Sequence, residues 1–139
     1  MSQVAALDAQ GIFNTVVLHL AQQGGPAIDL NGHCAYRTNN GRKCAAGVLL
    51  SDDDYKPEME NRTACTAEVG PFLPTGHLSL IRRLQMAHDN AARDTNDPDA
   101  RWLNVHGQNG IARSLRNIAG EYGLSSAKVR EAFSETVAA

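Results

Sequence analysis

The sequence predicts an α+β fold that is mainly helical, with four to five helices packed on one small antiparallel β-hairpin. Three observations support this fold class. The chain contains only one Trp, three Tyr and three Phe, so its core must be built mainly from aliphatic residues, which favours helices. Apolar residues recur at helical spacing in several segments. The turn-forming run Thr38-Asn39-Asn40-Gly41 separates two short segments that are typical of paired strands.

A chain of 139 residues predicts a single domain, with residues 1–124 as the core and residues 125–139 as an appended C-terminal helix. The hydrophobic content of 42% and the net charge of −2 are ordinary for a soluble globular protein and indicate no general affinity for nucleic acid. No signal peptide and no apolar run long enough for a membrane span is visible. The three cysteines form no disulfide framework, so we expect reduced thiols, a cytoplasmic protein and no cofactor.

The first predicted helix runs from Ala9 to Gln23, where five apolar residues form one stripe: Ile12, Phe13, Val16, Val17 and Leu20. Asp8 is its predicted N-cap, and the run Gly24-Gly25-Pro26 ends it. A short extended stretch follows, and Asn31-Gly32 then predicts a tight turn.

The predicted hairpin pairs Cys34–Arg37 with Arg42–Ala45. The apolar stretch Ala46–Leu50 fits either an extension of the second strand or a short helix. Ser51–Asp54 is a capping cluster rich in aspartate. From residue 56 to residue 75, prolines and glycines interrupt every periodic pattern, which predicts a long, partly ordered loop.

The predicted helix from Thr75 to Arg93 is the central core element, with Thr75 as its cap. One face carries Leu78, Ile81, Leu84, Gln85 and His88. Asp97-Pro98 predicts the start of another helix, with an N-cap and a proline at the first helical position. A further helix is predicted from Ile111 to Gly123. Ser125 caps a last helix that directs three apolar side chains inward: Val129, Phe133 and Val137.

A specific pattern runs through four parts of the chain: Cys34-Ala35-Tyr36-Arg37, Gly41 with Lys43-Cys44-Ala45-x-Gly47-x-Leu49-Leu50-x-Asp52-x-x-Tyr55, Leu84-Gln85-x-x-His88-Asp89, and Trp102. Together these residues resemble a group of small uncharacterised proteins encoded by tailed bacteriophages and prophages. The resemblance covers residues 12 to 124, and the Lys-Cys-Ala-x-Gly run is its most specific part. It implies a phage origin and a setting in the bacterial host cytoplasm, and it implies no established activity.

Cys44 is the candidate nucleophile if the protein is an enzyme. A thiol becomes nucleophilic when a nearby cation, a helix N-terminus or a histidine lowers its pKa, and Cys44 follows Arg42 and Lys43. His88 would then act as the base, and Asp89 would orient it. The alternative is that Cys44 is a small buried side chain and that His88 is hydrogen-bonded within the core.

Six residues have side chains that zinc can bind: His33, Cys34, Cys44, Cys65, His77 and His88. Their spacing matches no zinc motif, because the chain has no Cys-x-x-Cys. Adjacent ligands such as His33 and Cys34 would also point to opposite faces of a strand. The aspartates of residues 52–54 lack the glycine-containing loop of a calcium site. The sequence therefore predicts no metal site.

The C-terminal segment resembles a helix-turn-helix, since small and apolar residues around Gly123 are spaced so that two helices can cross closely. In that interpretation Ser126, Lys128 and Arg130 face the major groove of DNA. The alternative is a plain helical hairpin, in which Gly123 only ends the first helix.

The favoured function is that of a phage accessory protein that binds a host or phage macromolecule without catalysis, with inhibition of a host defence as its most specific form. The expected partner is a host or phage protein complex. Nucleic acid is an alternative partner, and no membrane association is expected. Six charged residues are the candidate partner-binding residues: Arg37, Arg42, Lys43, Asp52, Asp53 and Asp54. A helix-turn-helix DNA-binding regulator and a cysteine-dependent enzyme are the alternatives, and the sequence indicates no oligomeric state.

Overall fold

The computed structural model describes residues 8–30, 33–60, 70–74, 76–92, 97–108 and 110–138, with side chains described as far as residue 133. Within these ranges the chain forms five α-helices: α1 (Ala9–Gln23), α2 (Ala45–Leu49), α3 (Leu78–Ala91), α4 (Ile111–Glu121) and α5 (Ala127–Ala138). Two 3-10 helices, Pro57–Met59 and Gly70–Phe72, lie between α2 and α3. The prediction of a mainly helical protein is therefore confirmed. None of the helices in these ranges has the length and apolar character needed to cross a membrane.

All five helices contribute to one hydrophobic core. Helix α1 packs against α2, α3 and α5, and helix α3 packs against α1, α2 and α4. Val129 and Phe133 place one side of α5 in this same core, with exposed fractions of 0% and 1%. Burying a side chain of this size stabilises the fold by about 1.5–3 kcal/mol.

The predicted β-hairpin, and with it the α+β fold class, is wrong. The part of the chain that the structure describes contains no β-strand, only two isolated antiparallel bridges, Ile28 with Cys34 and Arg37 with Lys43. The predicted turn does form, because Gly41 has a φ of 87° and the Thr38 N–H donates to the Arg42 carbonyl at 3.0 Å. No ladder can grow from it, since helix α2 begins immediately after the second bridge.

Helix α1 has the predicted boundaries. Its N-cap is Asp8, whose carboxylate accepts the Gly11 N–H at 2.8 Å. Gly24 ends the helix in the left-handed region, with a φ of 81°, and its N–H donates to the Leu20 carbonyl. The five residues of the predicted stripe are all buried, with exposed fractions of 0%. The later turn at residues 31–32 lies outside the described residues.

Helix α2 explains the Lys-Cys-Ala-x-Gly run. Cys44 is the N-cap, and its sulfur accepts the Gly47 N–H at 3.3 Å. Gly47 lies against the backbone of Tyr36, so a β-carbon added at Gly47 would overlap the Tyr36 carbonyl group. This run therefore starts a short helix and lets it approach the preceding loop closely.

Helix α3 runs from Leu78 to Ala91, which is shorter at both ends than the prediction. Its N-cap is His77, which makes no side-chain capping bond, and the predicted cap Thr75 lies outside the described residues. The buried face is formed by Leu80, Ile81, Leu84, Ala87 and His88.

The helix predicted to start at Asp97-Pro98 is wrong, because residues 97–108 contain no helix. The Asp97 side chain accepts the Asp99 N–H at 2.9 Å, and its carbonyl accepts the Ala100 N–H at 3.0 Å, which closes a turn. The Trp102 backbone N–H donates to the carbonyl of Gly24, the C-cap of α1, at 2.9 Å, and its indole N–H donates to the Leu20 carbonyl at 2.8 Å. These long-range bonds fix the segment in an irregular conformation that its local sequence does not reveal.

Helices α4 and α5 are joined by a turn that satisfies the free carbonyls at the end of α4. Gly123 has a φ of 67°. The Leu124 N–H donates to the Ala119 carbonyl at 2.8 Å, and the Gly123 N–H donates to the Gly120 carbonyl, as in a Schellman motif. The Ser125 hydroxyl accepts the Ala127 N–H at 3.2 Å, but the residue that directly precedes α5 is Ser126, one position after the predicted cap. The predicted inward side chain at residue 137 lies outside the described side chains.

Candidate functional site

His88 and Asp89, near the end of α3, form a side-chain pair, which is the contact that the enzyme alternative assigned to them. The His88 Nδ1 lies 2.9 Å from a carboxylate oxygen of Asp89, and the His88 ring is fully buried. Its other nitrogen, Nε2, accepts the Ala27 N–H at 2.9 Å. Because a backbone amide can only donate, Nε2 is unprotonated, and the proton lies on Nδ1 and is donated to Asp89. The Trp102 ring and the imidazole are nearly perpendicular, with ring centres 5.8 Å apart.

Asp89 collects three side-chain donors. Besides His88, the Gln85 amide donates to it at 2.8 Å, and the Cys34 thiol is a third donor. Burial of Asp89 disfavours its ionised form, but the hydrogen bonds from these groups outweigh that effect and lower the pKa of its carboxyl. We call Cys34, Gln85, His88 and Asp89 the polar cluster.

Both cysteines that the structure describes are free thiols, as predicted. Cys34 is exposed, but partial loss of hydration and the nearby Asp89 carboxylate raise its thiol pKa to about 12. Cys44 is buried, with an exposed fraction of 1%, and burial raises the pKa of its thiol as well. Both side chains are therefore protonated near neutral pH, whereas a nucleophilic cysteine is a thiolate.

The predicted arrangement of Cys44, His88 and Asp89 is only partly assembled. His88 and Asp89 are paired, while Cys44 bonds to the Gly47 amide and to the side chain of Gln85. The His88 nitrogen that a general base would use already accepts the Ala27 N–H. This geometry gives no support to a nucleophile activated by His88.

The polar cluster also places three metal-binding groups together, which the sequence did not predict as a set. Ligand atoms of Cys34, His88 and Asp89 all lie within 4.8 Å of one another. A metal on His88 Nδ1 would require the proton to move to Nε2, where the Ala27 N–H already points. The donor set therefore does not fit a metal without loss of that buried hydrogen bond.

The polar cluster joins three separate segments of the chain. Gln85 accepts the Ala46 N–H at 2.9 Å, His88 accepts the Ala27 N–H, and Asp89 accepts the Cys34 thiol. Each backbone donor is satisfied by a side chain of α3 instead of by a neighbouring strand. The Gln-x-x-His-Asp run thus holds the loops on α3.

Arg37 and Arg42, two of the candidate partner-binding residues, make bonds within the fold. The Arg37 guanidinium donates to Asp52 at 2.7 Å and to the Leu50 carbonyl at 2.8 Å, and it lies 4.8 Å from the centre of the Tyr55 ring. The Arg42 guanidinium donates to the carbonyls of Pro26 and Ala100. Both cations therefore position loops.

The other four candidates differ in exposure. The backbone of Lys43 pairs with the side chain of Gln23 at 2.7 and 3.0 Å. Asp52 is 85% exposed, and its hydrogen bond from Arg37 lowers the pKa of its carboxyl. Asp53 is exposed, and Asp54 is half-buried. The acidic run thus supplies an open, negatively charged surface beside Arg37.

The candidate DNA-binding residues lie at the start of α5. Arg130 is exposed and donates to the Ser126 hydroxyl at 3.0 Å, and the half-buried Lys128 lies 3.6 Å from Glu131. The Schellman turn before them is the geometry of a helical hairpin and also occurs in a helix-turn-helix.

An open cleft of about 440 Å³ lies between three loops. Its lining combines apolar and charged side chains with the predicted turn: Ile28, Asp29, Leu30, Arg37, Thr38, Asn39, Asn40, Pro98 and Asp99. Leu30 is 79% exposed. Apart from Arg37, sequence reasoning selected none of these residues as a binding residue. The only signal was their position in turns, and no local pattern shows that three turns meet.

Comparisons with protein-family models, with curated proteins and with solved structures found no match.

Proposed function

We propose that this chain is a non-enzymatic binding protein that recognises a host or phage macromolecule. The proposed binding surface, called the loop face below, consists of the open cleft and the exposed acidic run at residues 52–54. The observation that carries this proposal is that the candidate catalytic residues are hydrogen-bonded inside the fold, whereas other polar residues are exposed. The side chains of Cys44, His88 and Asp89 make hydrogen bonds to other groups of the fold. The open cleft and the exposed acidic run face outward instead.

The finer form of the proposal is a phage-encoded accessory protein that acts in the host cytoplasm by inhibiting a host defence. Its support is the resemblance carried by the Lys-Cys-Ala-x-Gly and Gln-x-x-His-Asp runs. Inhibition by binding needs a shaped surface and no reactive group. The expected partner is a protein complex, because the acidic run would repel the phosphates of a nucleic acid.

A tagged protein produced in a bacterial host tests the proposal. Cross-linking and affinity purification identify the partner, and calorimetry measures the affinity of the purified pair. Cys44→Ala should leave this affinity unchanged, because Cys44 is not at the proposed surface. Asn39→Lys, on the loop face, should weaken binding. Asn117→Lys makes the same substitution on the exposed side of α4 and is the matched control.

An enzymatic activity of the parent protein would refute this function if His88→Gln and Cys44→Ala abolish that activity while the variants remain folded. Equal losses of affinity from Asn39→Lys and Asn117→Lys would refute the assignment to the loop face.

DNA binding is the second candidate, favoured by the observed turn between α4 and α5 and by the exposed Arg113 and Arg130. It predicts submicromolar binding to duplex DNA that weakens steeply with salt. Such binding, if it is lost in the double variant Lys128→Glu with Arg130→Glu, would replace the proposal above.

A further inference from the structure

We infer that the cleft between the three loops binds an arginine or lysine side chain presented by a protein partner. This inference rests on the proposed function and specifies the chemistry of the partner. The cleft volume of about 440 Å³ lies within the ~300–1,000 Å³ typical of small-ligand sites. It is large enough to admit a long side chain.

Two carboxylates give the cleft its charge. Asp29 and Asp99 come from different loops and both line it. A backbone N–H from His33 bonds to Asp29 at 3.0 Å, and the Asn40 amide bonds to Asp99 at 3.3 Å. These bonds hold the side chains in place. An ionised carboxylate has about four acceptor positions, so a carboxylate that lines the cleft can accept donors from a ligand.

Arg37 is the cation among the described lining residues, and its charge is compensated. Its guanidinium lies 2.7 Å from the Asp52 carboxylate and also bonds to the Leu50 carbonyl. A pair at this distance presents little net charge to a ligand. The cleft is therefore negative overall, which favours a cationic group and disfavours a phosphate.

The apolar lining selects a cation with a long stem. Leu30, which is 79% exposed, and Pro98 line the cleft together with the two carboxylates. Arginine and lysine bury their methylene stems on apolar surface while the charged end meets a polar group. The guanidinium of arginine can also bond to a carboxylate through two parallel N–H groups, which makes arginine the better fit.

An NMR titration with the peptide acetyl-Gly-Arg-Gly-amide tests the inference on the full chain. We expect saturable shifts of the amide signals of residues that line the cleft, such as Leu30, Asn39 and Asp99. The matched peptide with citrulline, which keeps the shape and removes the charge, should bind about two- to fivefold more weakly, the range expected for an exposed ion pair.

Variants that replace a single carboxylate with an amide identify which negative charge binds the arginine peptide. Asp99→Asn should weaken binding of the arginine peptide about two- to fivefold. Asp29→Asn should weaken binding of this peptide by a similar factor. Agreement between the two variants would show that neither effect comes from a local change in structure at one position. Glu58→Gln removes one negative charge from an exposed residue outside the cleft and outside the acidic run, and it should leave the affinity unchanged. Circular dichroism verifies that each variant is folded.

Three results would overturn the inference: no saturable shift, equal affinity for the arginine and citrulline peptides, or shifts confined to residues 51–54. Measuring the affinity of the purified partner for the same variants distinguishes failure of the arginine site from failure of the proposed function. If the partner binds the Asp29→Asn and Asp99→Asn variants as tightly as the parent, binding by the loop face stands and the arginine site is wrong.

Discussion

Gly47 packs so closely on Tyr36 that replacing its hydrogen with a methyl group should strongly destabilise the protein. In Gly47→Ala, the new β-carbon would lie 2.9 Å from the Tyr36 carbonyl carbon and 3.2 Å from its Cα, and closer still to the oxygen. Favourable carbon contacts are ~3.5–4.0 Å, so helix α2 must move away. Such overpacking costs about 1–3 kcal/mol. The movement also weakens the 3.3 Å bond from the Cys44 N–H to the Tyr36 carbonyl, which contributes about 1 kcal/mol.

The expected loss in the free energy of unfolding is therefore about 2–4 kcal/mol, a large part of the ~5–15 kcal/mol typical of a domain. Urea denaturation, followed by the fluorescence of the single Trp102, measures it. Gly120→Ala is the matched control, because Gly120 is exposed on α4 and a β-carbon there meets nothing within 4 Å. It should stabilise the protein by about 0.5–1 kcal/mol. A Gly47→Ala variant within about 0.5 kcal/mol of the parent would refute the close-approach explanation.

Three further predictions concern the core, the thiols and pH. Leu84→Ala should cost about 2–5 kcal/mol, because Leu84 is fully buried on α3, and a loss below this range in urea denaturation would contradict that position. Alkylation followed by mass spectrometry should modify Cys34 before Cys44 in the native protein, since only Cys34 is exposed; the reverse order would contradict the fold. Burial lowers the pKa of His19 below its ordinary 6.5, so the unfolded chain binds more protons, and stability should fall as pH drops below 6.5. In His19→Gln the urea midpoint should fall less just below pH 6.5 than it does in the parent protein.

The signals for α1 are all local, which is why its boundaries were predictable. A capping aspartate, a stripe of apolar residues and a glycine in the left-handed region follow one another within a single segment. The same holds for the end of α4, where Gly123 terminates the helix. The free energies of capping and of burying one face do not depend on which distant element supplies the rest of the core.

The predictions of the hairpin and of the helix at Asp97 were wrong because groups distant in the sequence form hydrogen bonds with these segments. The turn at Gly41 was predictable, but Glu60 accepts the N–H groups of Tyr36 and Arg37, and helix α2 begins at Ala45 before a second strand can form. The start signal at Asp97 produces a turn, because Trp102 bonds to the end of α1. A capping residue and a proline also suit a turn, so the local sequence does not distinguish the two outcomes.

The sequence by itself determined a helical core of aliphatic residues, because periodicity is a local property, and it placed His88 next to Asp89 in the chain. Only the tertiary structure decided what these side chains do. The bond from Ala27 to His88 spans 61 positions of the chain and determines that Nε2 of the ring is the acceptor. The cleft likewise exists only where residues 28–30 and 37–40 meet residues 98–99, a turn from a distant part of the sequence. Contacts of this kind depend on how whole elements pack, and no spacing of residues within one segment encodes them.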